Sequence, residues 1–217
     1  RTMLNSSALR LLQQLPAILI AFTIHELAHA YVALRLGDDT PRQMGRVTLN
    51  PLKHVDLIGL VMLLVAGFGW AKPVIINRSA LKNPARDDTL IALSGPLSNL
   101  LLAVLLVLLL RGVVAVGRLA YHPALETVVS LLLANIAINV SLGLFNLLPI
   151  PPLDGSHVVW NLLSRSSPAS SELYFRYGSY ALLALVVLER TTGLDILPIG
   201  RAVDAVVVAL LRLVGLG

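Results

Sequence analysis

Five consecutive residues, His25-Glu26-Leu27-Ala28-His29, have the types and spacing to do chemistry. On a helix, residues four apart lie on one face, one turn apart, so both imidazoles can ligate one metal ion. Glu26 is rotated about 100° from His25. Its carboxylate then stands beside the metal rather than on it, where it can take a proton from a metal-activated water as general base. The alternative is a chance match on a helix whose polar residues are structural. The motif lies in an apolar run, however, and three ionisable residues within two turns of a membrane helix are costly and rarely idle.

A catalytic zinc usually has three protein ligands and an open position. The chain has no cysteine, so thiolate sites and disulfides are excluded. His54 and His122 fall in polar connections, where a solvated or locally bonded histidine is the ordinary outcome, and His157 lies three residues beyond Asp154. The best candidate is Asp154, in the run Asn146-Leu147-Leu148-Pro149-Ile150-Pro151-Pro152-Leu153-Asp154-Gly155. Its prolines end the preceding helix. Irregular backbone at membrane depth is tolerated only where it lines a wet or protein-packed cavity. The same residues also suit a surface turn with a capping aspartate.

The elements that must position these residues are mostly apolar. Of 217 residues, 56% are hydrophobic and 13% charged, against about 25% charged in ordinary soluble domains. The expected fold is an all-α polytopic membrane protein, one domain over residues 1–217. Spanning helices are expected at 9–36 (closed by Gly37), 89–110, 127–148, 173–188 and 199–216, about five in all. A short helix is expected at 154–163 and a short β element at 44–49. Segment 57–70 is apolar but only about 21 Å long as a helix, short of a hydrocarbon core of roughly 30 Å. With Gly59, Gly67 and Gly69, it reads as re-entrant. The first span carries His25, Glu26 and His29 and is followed by no small-residue cleavage site, so it is not a cleavable signal peptide by pattern. Arg1 is not an initiating methionine, which leaves room for residues upstream.

Seven of the 17 lysines and arginines lie between residues 37 and 88: Arg42, Arg46, Lys53, Lys72, Arg78, Lys82 and Arg86. They form no stripe on a soluble face, so the net charge of +5 does not point to nucleic acid. A basic excess between apolar spans marks the cytoplasmic side. For His29 and Asp154 to meet, helices 9–36 and 127–148 must run the same way. The expectation is an N-terminus outside, segment 57–70 not crossing, and the C-terminus inside.

The two chemical segments together resemble the site-2 protease family of intramembrane zinc metalloproteases. Residues 25–29 resemble its zinc motif, and residues 146–155 resemble its N-x-x-P-x-P-x-L-D-G motif. Gly95-Pro96-Leu97-Ser98-Asn99 resembles its G-P-x-x-N signature, and Gly69-Trp70-Ala71-Lys72-Pro73 a feature of its small bacterial members. The resemblance implies one Zn2+ per chain held by His25, His29 and Asp154, with Glu26 as catalytic base. It also implies that Asn146 helps hold the scissile peptide or its developing oxyanion. For Gly95, Pro96 and Asn99, helix punctuation and an interhelical hydrogen bond are equally good readings. The implied partners are the lipid bilayer and membrane proteins with a transmembrane segment. The implied location is a bacterial plasma membrane, with the active site towards the cytoplasm. The PDZ and CBS domains of many relatives are not visible in the chain, which reads as a minimal core. A substrate helix must unwind to be cut, and strand addition at 46–49 would hold it. The competing readings are a membrane metal transporter and a catalytically inactive binder of membrane segments.

Overall fold

The computed structural model describes residues 2–66, 69–119, 122 and 124–216, with 2–13, 63–66 and 118–119 described by backbone alone. Helix α1 (Thr2–Arg35) stops where the sequence supplies a residue for the left-handed turn: Gly37 has φ +109°, and Asp38 N–H caps the Ala33 carbonyl at 3.0 Å. A polar connection follows, with the short helix α2 (Thr40–Gln43), a 3-10 turn at Pro51–Lys53, helix α3 (Leu57–Ala66) and a second 3-10 turn at Arg78–Ala80. Then come α4 (Pro84–Leu119), α5 (Ala124–Asn146), α6 (Ser156–Ser166), α7 (Pro168–Thr192) and α8 (Ile199–Leu213). Helix α4 begins earlier than its apolar run, because Asp87 accepts a hydrogen bond from Asn83 N–H at 2.9 Å and caps a charged first turn.

Helices α1, α4 and α5 pack on one another, with α8 against α5 and α6 against α4 and α7. Helix α1 meets its neighbours through small residues, Ala17, Ala21, Ala30 and Ala33, all buried. Small side chains let backbones approach where lipid gives helices no hydrophobic reason to associate. Ala103, Val107 and Leu110 of α4 pack with Ile136 and Val140 of α5 and Val203 of α8. Leu101, Leu105 and Leu108, on the other side of α4, stay exposed. An apolar exterior of this kind suits lipid and not water.

Contacts fix the helix directions. His25 pairs with Asn99 and His29 with Ile91, so α1 and α4 are antiparallel. Asn99 pairs with Asn139, and Gly143 lies against Pro96 and Leu100, so α4 and α5 are antiparallel too. Helices α1 and α5 therefore run the same way, as the motifs require.

Among the described residues, three helical segments are long and apolar enough to cross a membrane: Gln14–Arg35, Pro84–Gly117 and Ala124–Asn146. Helix α7 carries Glu172, Arg176, Glu189 and Arg190, and α8 has 15 residues, about 22 Å. The expected count of five is thus supported for three. Segment 57–70 contains the 10-residue α3, about 15 Å long. Its flanks are joined by an antiparallel bridge between Val55 and Ala71 and by Lys72 N–H donating to the His54 carbonyl at 2.8 Å. Gly67 lies outside the described residues.

No strand forms at 44–49, contrary to the sequence expectation. Arg46 turns its guanidinium inward onto the carbonyls of Lys53, Lys72 and Pro73. The Thr48 carbonyl is taken by His54 Nε2 at 2.8 Å, and Arg46 N–H by the Pro41 carbonyl. Side chains and turns satisfy this backbone, leaving it no need of a ladder.

Candidate metal centre

His25 and His29 stand one turn apart on α1, their rings 4.7 Å apart between centroids and nearly perpendicular. Each ring is pinned on its Nδ1 side. His25 Nδ1 meets Asn99 Oδ1 at 2.7 Å, and His29 Nδ1 meets the Ile91 carbonyl at 2.8 Å. Both partners accept, so each imidazole donates from Nδ1 and presents a free lone pair at Nε2. The Asn99 amide cannot have turned round. Its Nδ2 donates to the Ala21 carbonyl at 3.0 Å and to Asn139 Oδ1 at 2.9 Å.

Both Nε2 atoms face Asp154 Oδ2, at 3.0 Å from His25 and 3.5 Å from His29. Helix α5 ends at Asn146, and its carbonyl takes Gly155 N–H at 2.7 Å, folding the proline loop back onto the helix end. A Cβ on residue 155 would come within 2.6 Å of the Leu147 carbonyl carbon, so this turn needs glycine. Asp154 Oδ2 is buried and has no hydrogen-bond donor among the described residues.

Two imidazole lone pairs and an orphaned carboxylate oxygen facing one another call for a cation. Tetrahedral ligands about 2.0–2.1 Å from zinc lie roughly 3.3 Å apart; the two distances to Asp154, 3.0 and 3.5 Å, bracket that spacing, and all three ligand atoms lie within 4.8 Å of one another. The residues present fit a zinc ion.

Glu26 is buried beside the cluster, close enough for its charge to act on His29 and on Arg46. Burial pulls the Arg46 guanidinium below its ordinary value, and the Glu26 charge pulls it back up. Asn146 is half-buried, and its Nδ2 donates to the Leu142 carbonyl of its own helix at 3.0 Å. The structure does not bring His54, His122 or His157 into the cluster.

Sequence reasoning undervalued the G-P-x-x-N segment. A Cβ at residue 95 would lie 2.5 Å from His29 Cε1 and 2.8 Å from His25 Cε1. Ile91, Gly95 and Asn99 occupy successive turns of one α4 face, receiving His29, making room for both rings, and receiving His25. An asparagine four residues after a glycine within an apolar helical run was the available signal.

Apolar helices enclosing a His-Glu-x-x-His turn and a facing aspartate define a membrane-embedded metallohydrolase. The family model for peptidase family M50 matches residues 110–188. Among curated proteins, the chain is similar to "Putative zinc metalloprotease YwhC" of Bacillus subtilis, 43% identical over 173 residues, 78% of each chain. It is 34% identical over 182 residues to Rip2 of Mycolicibacterium smegmatis, covering 82% of this chain and 66% of Rip2. It is 31% identical over 160 residues to MJ0611 of Methanocaldococcus jannaschii, covering 72% and 74% respectively. Both are named in the same terms as YwhC. The comparison with solved structures gave no match. The chain belongs to peptidase family M50, the site-2 proteases, and is a zinc metalloprotease.

Proposed function

We propose that the chain is an intramembrane zinc endopeptidase, a single membrane domain that hydrolyses peptide bonds of membrane-spanning or membrane-anchored proteins. The observation that carries this reading is the convergence of His25 Nε2 and His29 Nε2 on the orphaned Asp154 Oδ2, with both Nδ1 atoms pinned behind. His25, His29 and Asp154 hold one zinc ion. Bound zinc activates water and polarises the peptide carbonyl.

Glu26 takes the proton released on attack and passes it to the leaving amine. The Asn99 and Ile91 acceptors keep both rings in the tautomer that offers Nε2. Asn146, at the end of α5, has a second amide N–H for the peptide oxygen. The enclosing helices keep bulk water from the site.

The N-terminus faces outward, and the basic 37–88 region and the site face the cytoplasm of a bacterial plasma membrane. Antiparallel α1 and α4 put both ends of the 37–88 region on one side, and its basic excess is what assigns that side to the cytoplasm. The Val55–Ala71 bridge supports a re-entrant 57–70. Helices α7 and α8 complete five spans.

The test is cleavage of a single-span substrate by purified protein in detergent, comparing wild type with Glu26→Gln and measuring bound zinc in both. Loss of cleavage with zinc retained supports the reading. Equal cleavage by Glu26→Gln removes the base, and a wild type without zinc removes the centre.

A further inference from the structure

A second buried polar cluster lies outside the metal centre, where α6 meets the first turns of α4. At its middle is the Asp88 carboxylate, 6% exposed. Asp88 Oδ2 accepts from His157 Nδ1 at 3.0 Å and from Asn161 Nδ2 at 2.9 Å. Asn161 Nδ2 also donates to Thr89 Oγ1 at 3.0 Å. Arg78 closes the ring. It donates to Asn161 Oδ1 at 3.0 Å, stands 3.7 Å from Asp88 Oδ1, and lies over the Trp160 ring at 3.9 Å. A buried carboxylate is tolerable only with such partners, and removing it strands several donors at once.

The position of this cluster gives it a use. Asp88 lies one turn before Ile91, whose carbonyl orients His29. His157 lies on the first turn of α6, and its backbone N–H donates to the Asp154 carbonyl at 3.0 Å. Asp88 thus ties the α4 turn that aims one histidine to the helix that begins just after the aspartate facing it. Gly155 fixes the other side of Asp154 against the end of α5. Arg78 spans the same two helices from outside, meeting Asp88 of α4 and Asn161 and Trp160 of α6.

We propose that Asp88 is a positioning residue for the metal centre. Through His157 and Asn161 it latches α6 onto α4 and so sets where Asp154 stands relative to His25 and His29. The inference rests on the zinc reading above. Asp88 touches neither metal nor substrate and acts through the backbone of Asp154.

The whole chain in detergent is compared with Asp88→Asn and His157→Ala. Zinc affinity is read by chelator competition, coordination by the visible absorption of the Co2+-exchanged protein, and folding by helical circular dichroism on heating. Asp88→Asn is expected to weaken zinc about tenfold and to alter the Co2+ bands, the lower end of what partners beyond the ligands contribute. His157→Ala is expected to move both readouts the same way by less. Val203→Ala, in the α4–α5–α8 core, is expected to melt earlier with zinc affinity and Co2+ bands unchanged, separating positioning from general destabilisation. Zinc affinity within about twofold of wild type and unaltered bands in the folded variants overturn the inference while the zinc reading stands. If Asp88→Asn does not fold, His157→Ala decides alone. A wild type that holds no zinc overturns both.

Discussion

Glu26 and Asn99 occupy neighbouring places but fail differently when changed. Glu26→Gln keeps shape and removes the base, so cleavage is expected to fall by about 10²–10⁴-fold with bound zinc unchanged. Side-by-side rate and metal measurements check this. Asn99→Ala removes the acceptor at His25 Nδ1 and leaves Asn139 Oδ1 without its donor. It is expected to weaken zinc by about 10–100-fold, and activity should return in part with excess zinc. Asn99→Asp keeps an acceptor and should hold zinc better than Asn99→Ala; equal loss in both would remove the orienting role. Gly95→Ala puts a methyl where both rings sit and should lose metal outright.

At the scale of elements, the proline loop and the α1–α4 connection matter most. Gly155→Ala drives a methyl into the Leu147 carbonyl. It is expected to cost about 1–3 kcal/mol, seen as a lower melting midpoint, and to displace Asp154, seen as weaker zinc. The connection makes a topological prediction. Antiparallel α1 and α4, with Val55 bridged to Ala71, require both flanks of 57–70 on one side of the bilayer. Membrane-impermeant labelling of single cysteines at the exposed positions 53 and 86 should report the same side. Opposite sides would mean that the 57–70 segment crosses and that the α1–α4 pairing is wrong.

Over the whole molecule, metal and membrane are linked. On the proposed reading the ligands come from α1 and from the loop after α5, so bound zinc would cross-link helices that α4 already holds. Removing zinc with a strong chelator should abolish cleavage and lower the melting midpoint, and added zinc should restore both. A restored midpoint without restored cleavage would separate the structural cation from the catalytic one.

The sequence by itself determined the chemistry. His-Glu-x-x-His on a helix puts two imidazoles on one face and a carboxylate beside them through the helical repeat alone, and the absence of cysteine left His, Asp or Glu as the donors of any metal. Hydropathy likewise determined the three longest apolar helices, because an apolar run of that length has few other uses. Local pattern failed at 44–49, where β-favouring residues lost to the inward turn of Arg46 onto three carbonyls from other segments. It also read 173–188 and 199–216 as spans, whereas the charges of α7 and the 15-residue length of α8 leave both outside the three described segments long and apolar enough to cross. Only the tertiary structure decided that Asp154 meets the histidines, that Gly95 exists to admit their rings, and that Asn99 and Asp88 are tied to the centre. Those contacts join residues 62 to 129 positions apart in sequence. They exist because antiparallel helices bring distant turns into register, a consequence of packing that no local spacing encodes.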